Sequence, residues 1–376
     1  MTRYRCPDCT GHWPVDSAIW RCPSCEGPLD LDFPAAPVPR EHLGARGGSL
    51  WRYAEALPFT APTCSLGEGR TPLVTLTHTV SAKVEFLMPT LSFKDRGAVM
   101  LAELARRLGA RRVLADSSGN AGCAISAYCA RAGLDCTVMV PEGTSPTKTE
   151  QIRAHGARLE VVPGDREATA EAARAAADQP GVFYASHVYN PYFLHGTKTY
   201  VYELWEDLGG TLPETLVLPV GNGTLLLGAS LAVGELRAHG LIDTAPALVG
   251  VQAEAVAPLA AAHRAGAEDL IAPRGAAGDG AKVAAGIAVA PATVAEGIAV
   301  AAPPRARQIL RAVRESGGRI LTVPEDAVLA AQRDLARRGL FVEPTAAVCW
   351  AAAGTWTDRT AVVPLCGAGA KSDPAH

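Results

Sequence analysis

From about residue 84 onward, short apolar runs alternate with longer stretches of helical composition. Residues 111–117 (RRVLADS) form an apolar run ending in small polar residues, which predicts a buried parallel strand. Further strands are predicted at 135–140, 158–162, 183–186, 216–220, 248–252, 320–323 and 361–365. Helices are predicted at 121–133, 146–156, 168–178, 197–208, from Leu225 onward, and at 326–338. In the last of these Val328, Leu329, Gln332 and Leu335 share one face. Strands alternating with helices of this length define an α/β fold with parallel sheets. Such sheets bind ligands beyond the carboxyl ends of their strands, so functional residues are expected after Ser117, Val220 and Leu365. Residues 253–302 are rich in Ala, Gly and Val, without a clear period.

Composition narrows the possibilities. The chain has 376 residues, with 35 basic and 38 acidic side chains and a net charge of −3. That balance argues against nucleic acid or an anionic membrane as a partner. The length suggests two or three domains. No apolar run reaches the 18 residues of a transmembrane helix, and the first residues lack the apolar core of a signal peptide. Ten cysteines in such a chain point to a reducing, cytoplasmic compartment rather than a disulfide scaffold. Only six residues are lysines, so lysine-based chemistry has few candidates.

Three loops carry candidate chemistry. Gly221, Asn222, Gly223, Thr224 and Leu225 join a strand to a helix, where backbone N–H groups can cradle a phosphate. Leu226 occupies the third glycine position of a dinucleotide fingerprint, which argues against NAD; the loop alone also reads as a plain tight turn. Residues 275–282 lack the Gly-Lys-Ser/Thr ending of a P-loop. Ser117, Ser118, Gly119 and Asn120 open a helix, either as a simple N-cap or as an anion site suited to a carboxylate. Lys94 precedes an apolar helical stretch, where the helix dipole lowers an amine's pKa and favours a nucleophile; the alternative is a solvated surface lysine.

The amino-terminal 30 residues stand apart. Cys6-Pro-Asp-Cys9 and Cys22-Pro-Ser-Cys25 are separated by 12 residues, the spacing of a zinc ribbon. Four thiolates leave no open coordination position, so the expected Zn2+ is structural; a metal-free remnant is the alternative.

Together, the segments resemble fold type II enzymes that use pyridoxal 5′-phosphate (PLP), above all the threonine synthases. The resemblance rests on Leu66-Gly-Glu-Gly-Arg-Thr-Pro-Leu73, Ser92-Phe-Lys-Asp-Arg-Gly97, Ser117-Ser-Gly-Asn-Ala-Gly122, Val140-Pro-Glu-Gly-Thr-Ser145 and Asn190-Pro-Tyr192. It continues through Val220-Gly-Asn-Gly223, Val251-Gln-Ala-Glu254, Glu343-Pro-Thr345 and Cys366-Gly-Ala-Gly369, all in family order. It implies that Lys94 is the Schiff-base lysine, with Phe93 beside the cofactor ring and Asn120 on its ring oxygen. It also implies that residues 221–225 hold the cofactor phosphate, residues 117–120 bind the substrate carboxylate, and Cys366 faces the pyridine nitrogen. Cys366 alone reads equally as a small buried strand residue. The implied architecture is a zinc ribbon at 1–30, a linker at 31–45, a large PLP-binding domain from 46–95 and 205–376, and a small α/β domain at 96–204. A homodimer and a small amino-acid substrate are further implications.

The chain departs from threonine synthase where that family grips its substrate's phosphate. His187-Val188 replace an Asn-Ser pair, Phe193 an arginine, and Leu225 the closing asparagine of the cofactor loop. Phe86, Met88 and Leu91 stand where Gly or Asn is usual, and His195 and Thr197 replace Glu and Gln. Loss of the arginine removes the usual bidentate phosphate grip. The expected pocket is larger and more apolar, with a substrate other than O-phosphohomoserine processed by elimination or β/γ-replacement. His187 and His195 are candidate acid–base groups there, or ordinary wall residues. Threonine synthase proper and a serine/threonine dehydratase remain as alternatives, beside a non-enzymatic protein that binds through the ribbon.

Overall fold

The computed structural model describes residues 2–17, 19–60, 62–144, 146–271 and 293–371; the 275–282 stretch noted above lies outside them. The chain begins with three short antiparallel strands, β1 (Arg3–Arg5), β2 (His12–Pro14) and β3 (Asp30–Asp32), ordered β2-β1-β3. Residues 31–45, read as a linker, pack closely: Val38 and Leu43 are buried in the main core. Their prolines limit ladder pairing but do not hinder burial.

Strands β4 (Leu73–Thr75) and β5 (Val80–Lys83) form an antiparallel pair. Helix α1 (Asp95–Arg107) leads into β6 (Arg112–Ala115), α2 (Asn120–Ala132), β7 (Asp135–Pro141), α3 (Pro146–Ala154), β8 (Arg158–Val162), α4 (Arg166–Ala177) and β9 (Val182–Tyr184). Strands β6 to β9 make a four-stranded parallel sheet in the order β8-β7-β6-β9. Helices α5 (Tyr192–Thr197) and α6 (Thr199–Asp207) return the chain to β10 (Thr215–Pro219) and α7 (Thr224–Ala238). Then follow β11 (Ala247–Ala253), α8 (Pro258–Arg264), α9 (Ala306–Glu315), β12 (Arg319–Val323), α10 (Glu325–Arg337), α11 (Pro344–Ala353) and β13 (Ala361–Pro364). The second sheet has six strands, ordered β12-β11-β10-β13-β5-β4, parallel except at β4. The smaller sheet is thus inserted in sequence between β5 and β10 of the larger one. Every residue of β10 and β13 is buried, as helix-covered parallel strands require.

The predicted elements lie within a few residues of these bounds, with two informative shifts. Helix α4 starts at Arg166 because Asp165 caps it, accepting the N–H groups of Glu167 and Ala168 at 3.0 Å. The helix expected from residue 197 begins at Tyr192 and is broken at Lys198. There the Thr197 hydroxyl bonds the Thr224 carbonyl of α7 at 3.0 Å. Among the described residues, no helix is long and apolar enough to cross a membrane.

A buried ion network joins these parts. Arg96 of α1 is fully buried and donates to both oxygens of Glu85, at 2.7 Å each, and to Glu203 of α6 at 2.6 and 2.9 Å. Lys83 of β5 adds a second cation 3.1 Å from Glu203. Burial alone would push the Glu203 carboxyl up, but Arg96 and Lys83 hold it well below the usual range. Arg96→Gln leaves two buried carboxylates short of their cation. It is expected to cost about 3–5 kcal/mol in urea unfolding; a loss below about 1 kcal/mol would show that the network is dispensable.

Candidate active site

A cleft of about 650 Å³ opens where the carboxyl ends of β6, β7, β10 and β13 converge. Its position follows from the parallel sheets, whose strand ends leave loops and helix N-termini facing each other.

Lys94 lines the cleft immediately before α1, half-buried. The loop that carries it is stitched to the end of β13. Phe93 N–H donates to the Cys366 carbonyl at 3.0 Å, Ala368 N–H donates to Leu91 at 3.1 Å, and Ser92 bridges Gly367. Leu91 has φ +63°, a left-handed conformation costing a β-carbon-bearing residue roughly 1–2 kcal/mol. This accounts for the usual preference for glycine at its position. The Lys94 amine lies 4.4 Å from the Phe93 ring centre and makes no hydrogen bond or ion pair among the described residues. Burial pushes its pKa down to about 8.

Gly221, Asn222, Gly223, Thr224 and Leu225 line the same cleft. Gly223, at φ +72°, is the N-cap of α7, and the first-turn N–H groups of that helix lack intrahelical acceptors. A Cβ at Gly221 would come within 2.8 Å of the Ile298 Cα, and one at Gly223 within 2.3 Å of Ile309. Glycine is therefore required at both positions by close packing, while the first-turn N–H groups of α7 are available to an anion.

Ser117, Ser118, Gly119 and Asn120 line the cleft as well, at the start of α2. The Asn120 amide donates to both carboxylate oxygens of Glu343, at 3.1 and 3.0 Å. Burial pushes the Glu343 carboxyl up. Cys366 closes the floor beyond β13; burial raises its thiol well above the ordinary value and keeps it neutral.

The remaining candidates divide. His187 lines the cleft, and burial holds its imidazole neutral. Phe193 is fully buried behind Lys94, 5.7 Å from its amine, 5.8 Å from the His187 ring and packed on Gly97. Its ring packs inside the fold and is not among the residues that line the cleft. His195 does not line the cleft, which corrects its candidacy as an acid–base group. Two residues apart on α5, Phe193 and His195 point to different sides. His195 lies 3.1 Å from the Lys198 amine and packs edge-on against Phe33. Sequence reasoning missed Glu343, Lys371 and Arg166 as lining residues. The Glu343-Pro-Thr345 motif was the available signal for the first; a start for α4 at Asp165 would have been the signal for the last.

Apart from the cleft, the four amino-terminal cysteines converge, with their sulfurs all within 4.8 Å of one another. Cys6 and Cys25 are 3.5 Å apart, Cys9 and Cys22 3.4 Å. A tetrahedral site with metal–sulfur bonds of ~2.3 Å has sulfur–sulfur edges of ~3.8 Å by geometry, so the cluster has the dimensions of a metal site.

With this geometry in place, comparison with known proteins is direct. The family described as "Pyridoxal-phosphate dependent enzyme" matches residues 64–367, and the chain belongs to it. Within it the chain is threonine synthase-like and is an enzyme of lyase type. It is 32% identical to the threonine synthase of Methanosarcina acetivorans over 92% of this chain and 85% of that one. To the threonine synthase of Mycobacterium leprae it is 35% identical, over 87% and 89% of the two chains. A solved threonine deaminase from T.th. superposes with a TM-score of 0.65 at 29% identity, covering 82% of this chain and 94% of that one.

The cleft fits the cofactor the family implies: the Lys94 amine, without a hydrogen bond or ion pair among the described residues, lines the same cleft as the N-terminus of α7. An amine with pKa near 8 is mostly neutral above that pH. The rate at which cofactor-free protein combines with PLP should therefore rise through pH 8 and level off, followed by absorbance. A rise centred near 10.5, the ordinary lysine value, would contradict the Lys94 environment.

Proposed function

We propose that this enzyme eliminates or replaces a substituent at Cβ or Cγ of a small amino acid other than O-phosphohomoserine. The observation that carries the reading is Phe193, whose buried ring occupies the place of the family's phosphate-binding arginine. A phosphate dianion placed there without partners would be costly.

In this reading Lys94 Nζ holds PLP covalently and, once displaced by substrate, takes or returns the proton at the substrate Cα. The amides of residues 221–225 and the Thr224 hydroxyl hold the cofactor phosphate, Asn120 its ring oxygen, and Phe93 flanks the ring. Bound PLP supplies an electron sink for charge developing at Cα. Cys366, neutral beside the pyridine nitrogen, cannot hold that nitrogen protonated as a carboxylate would, which favours elimination and replacement over transamination. Residues 117–120 bind the substrate carboxylate, and His187 stays an uncharged wall residue. A serine/threonine dehydratase is the second reading, favoured by the likeness to a threonine deaminase.

The test compares products from the holoenzyme. Ammonia and 2-oxo acid released from L-serine or L-threonine would select the dehydratase. Efficient release of phosphate from O-phosphohomoserine with formation of threonine would overturn the main reading.

We also propose that Cys6, Cys9, Cys22 and Cys25 hold a structural Zn2+. Four sulfur donors complete the coordination shell, and binding would fold a unit whose strands have three residues each. Protein purified without chelator should contain about one zinc per chain, and its removal should lower the melting temperature. A chain free of metal with an unchanged melting temperature would refute the site.

A further inference from the structure

A substrate side chain entering above Lys94 meets three cations among the described lining residues: Lys94, Lys371 and Arg166. Lys94 is committed to the cofactor. Lys371 donates to the Thr90 carbonyl at 2.7 Å. Arg166 makes no hydrogen bond or ion pair among the described residues, although it lines the same cleft. It is the first residue of α4, held in place by the Asp165 cap. Its charge is felt by Lys94, His187 and Asp116, which places the guanidinium within electrostatic reach of the cleft. An unpaired guanidinium on the wall of an amino-acid cleft has no structural task that the fold explains.

The carboxylates on the same walls set the kind of anion it suits. Glu343 is engaged by Asn120. Asp116 is bonded to Tyr184, and burial pushes its carboxyl up. Glu296 has an interaction of its own, and Glu150 is exposed on α3. One free guanidinium among these groups matches a single carboxylate in bidentate geometry. A phosphate dianion would need more positive charge than Arg166 brings.

We infer that Arg166 is a specificity-determining residue that receives a second carboxylate, carried on the substrate's side chain or on its leaving group. This rests on the reading of the cleft as a PLP-dependent amino-acid site. It moves the anion grip from the position that Phe193 fills to Arg166. The preferred substrate is then a dicarboxylic amino acid or an amino acid esterified with a dicarboxylic acid.

The test is a matched pair of ligands titrated into holoenzyme, with the cofactor's visible absorption as readout. O-succinyl-L-homoserine carries the extra carboxylate; O-acetyl-L-homoserine lacks it. The succinyl ester should bind at least about tenfold more tightly, and R166Q should bring the ratio of the two dissociation constants close to one. R166K should fall between them, because an ammonium lacks the planar fork. Arg166 is exposed, so these variants should retain the fold. Equal binding of both esters by the parent enzyme, or an unchanged ratio in R166Q, overturns the inference while leaving the amino-acid site intact. Tighter, Arg166-dependent binding of O-phospho-L-homoserine overturns the carboxylate assignment. If neither ester nor any common amino acid perturbs the absorption, the functional reading fails and this inference with it.

Discussion

A single residue, Asp95, separates Lys94 from Arg96, and Arg96 fixes where Lys94 can be. Arg96 is clamped between Glu85 and Glu203, while Lys83 links the same carboxylate to strand β5. The start of α1 is thereby tied to the large sheet and to α6 at once. Charges this deeply buried hold only with near-ideal geometry, so the network tolerates little movement. Glu203 also accepts the backbone N–H groups of Arg70 and Thr71 at 2.8 and 3.2 Å, which brings in the segment before β4. A lysine whose amine is neither hydrogen-bonded nor ion-paired is held in position by its backbone instead.

The same constraint explains what surrounds it. The loop before Lys94 runs against the end of β13 and takes a left-handed turn at Leu91, which a larger residue tolerates only where neighbouring contacts enforce it. The glycines of the 221–225 turn are demanded by close approach of Ile298 and Ile309, independently of any ligand. The Lys94 loop and the 221–225 turn are therefore both fixed by packing and backbone hydrogen bonds. Phe193 lies buried beside Lys94, and Arg166 lines the cleft without a hydrogen bond or ion pair among the described residues. A family's chemistry is kept and its specificity is open to change when the two are built on different elements in this way.

Much of this was legible in the residues. Buried parallel strands are continuous apolar runs, so most strands of both sheets stood out; β4, β5 and the ribbon strands, three or four residues each and without a continuous apolar run, did not. Lys94, the 221–225 turn and the four cysteines carry local patterns and were visible for that reason. The Arg96 network was not, because residues 83, 85, 96 and 203 are distant in sequence and nothing local marks their pairing. The packing of the Phe193 ring on Gly97 was not legible either, because the two residues are far apart in sequence. His195 misled because sequence proximity to Phe193 hides the helical rotation between them. Arg166 was overlooked because the helix was expected to start only at residue 168, which left the arginine in the preceding loop.

The central claim is that Lys94, placed by the Arg96 network, is the residue that holds the cofactor. Borohydride reduction of the PLP-loaded protein, followed by peptide mass spectrometry, asks this directly. The account predicts a phosphopyridoxyl group on the Lys94 peptide and on none of the other five lysines. A label on Lys83, Lys198 or Lys371, or no label at all in protein that retains its fold, would contradict it.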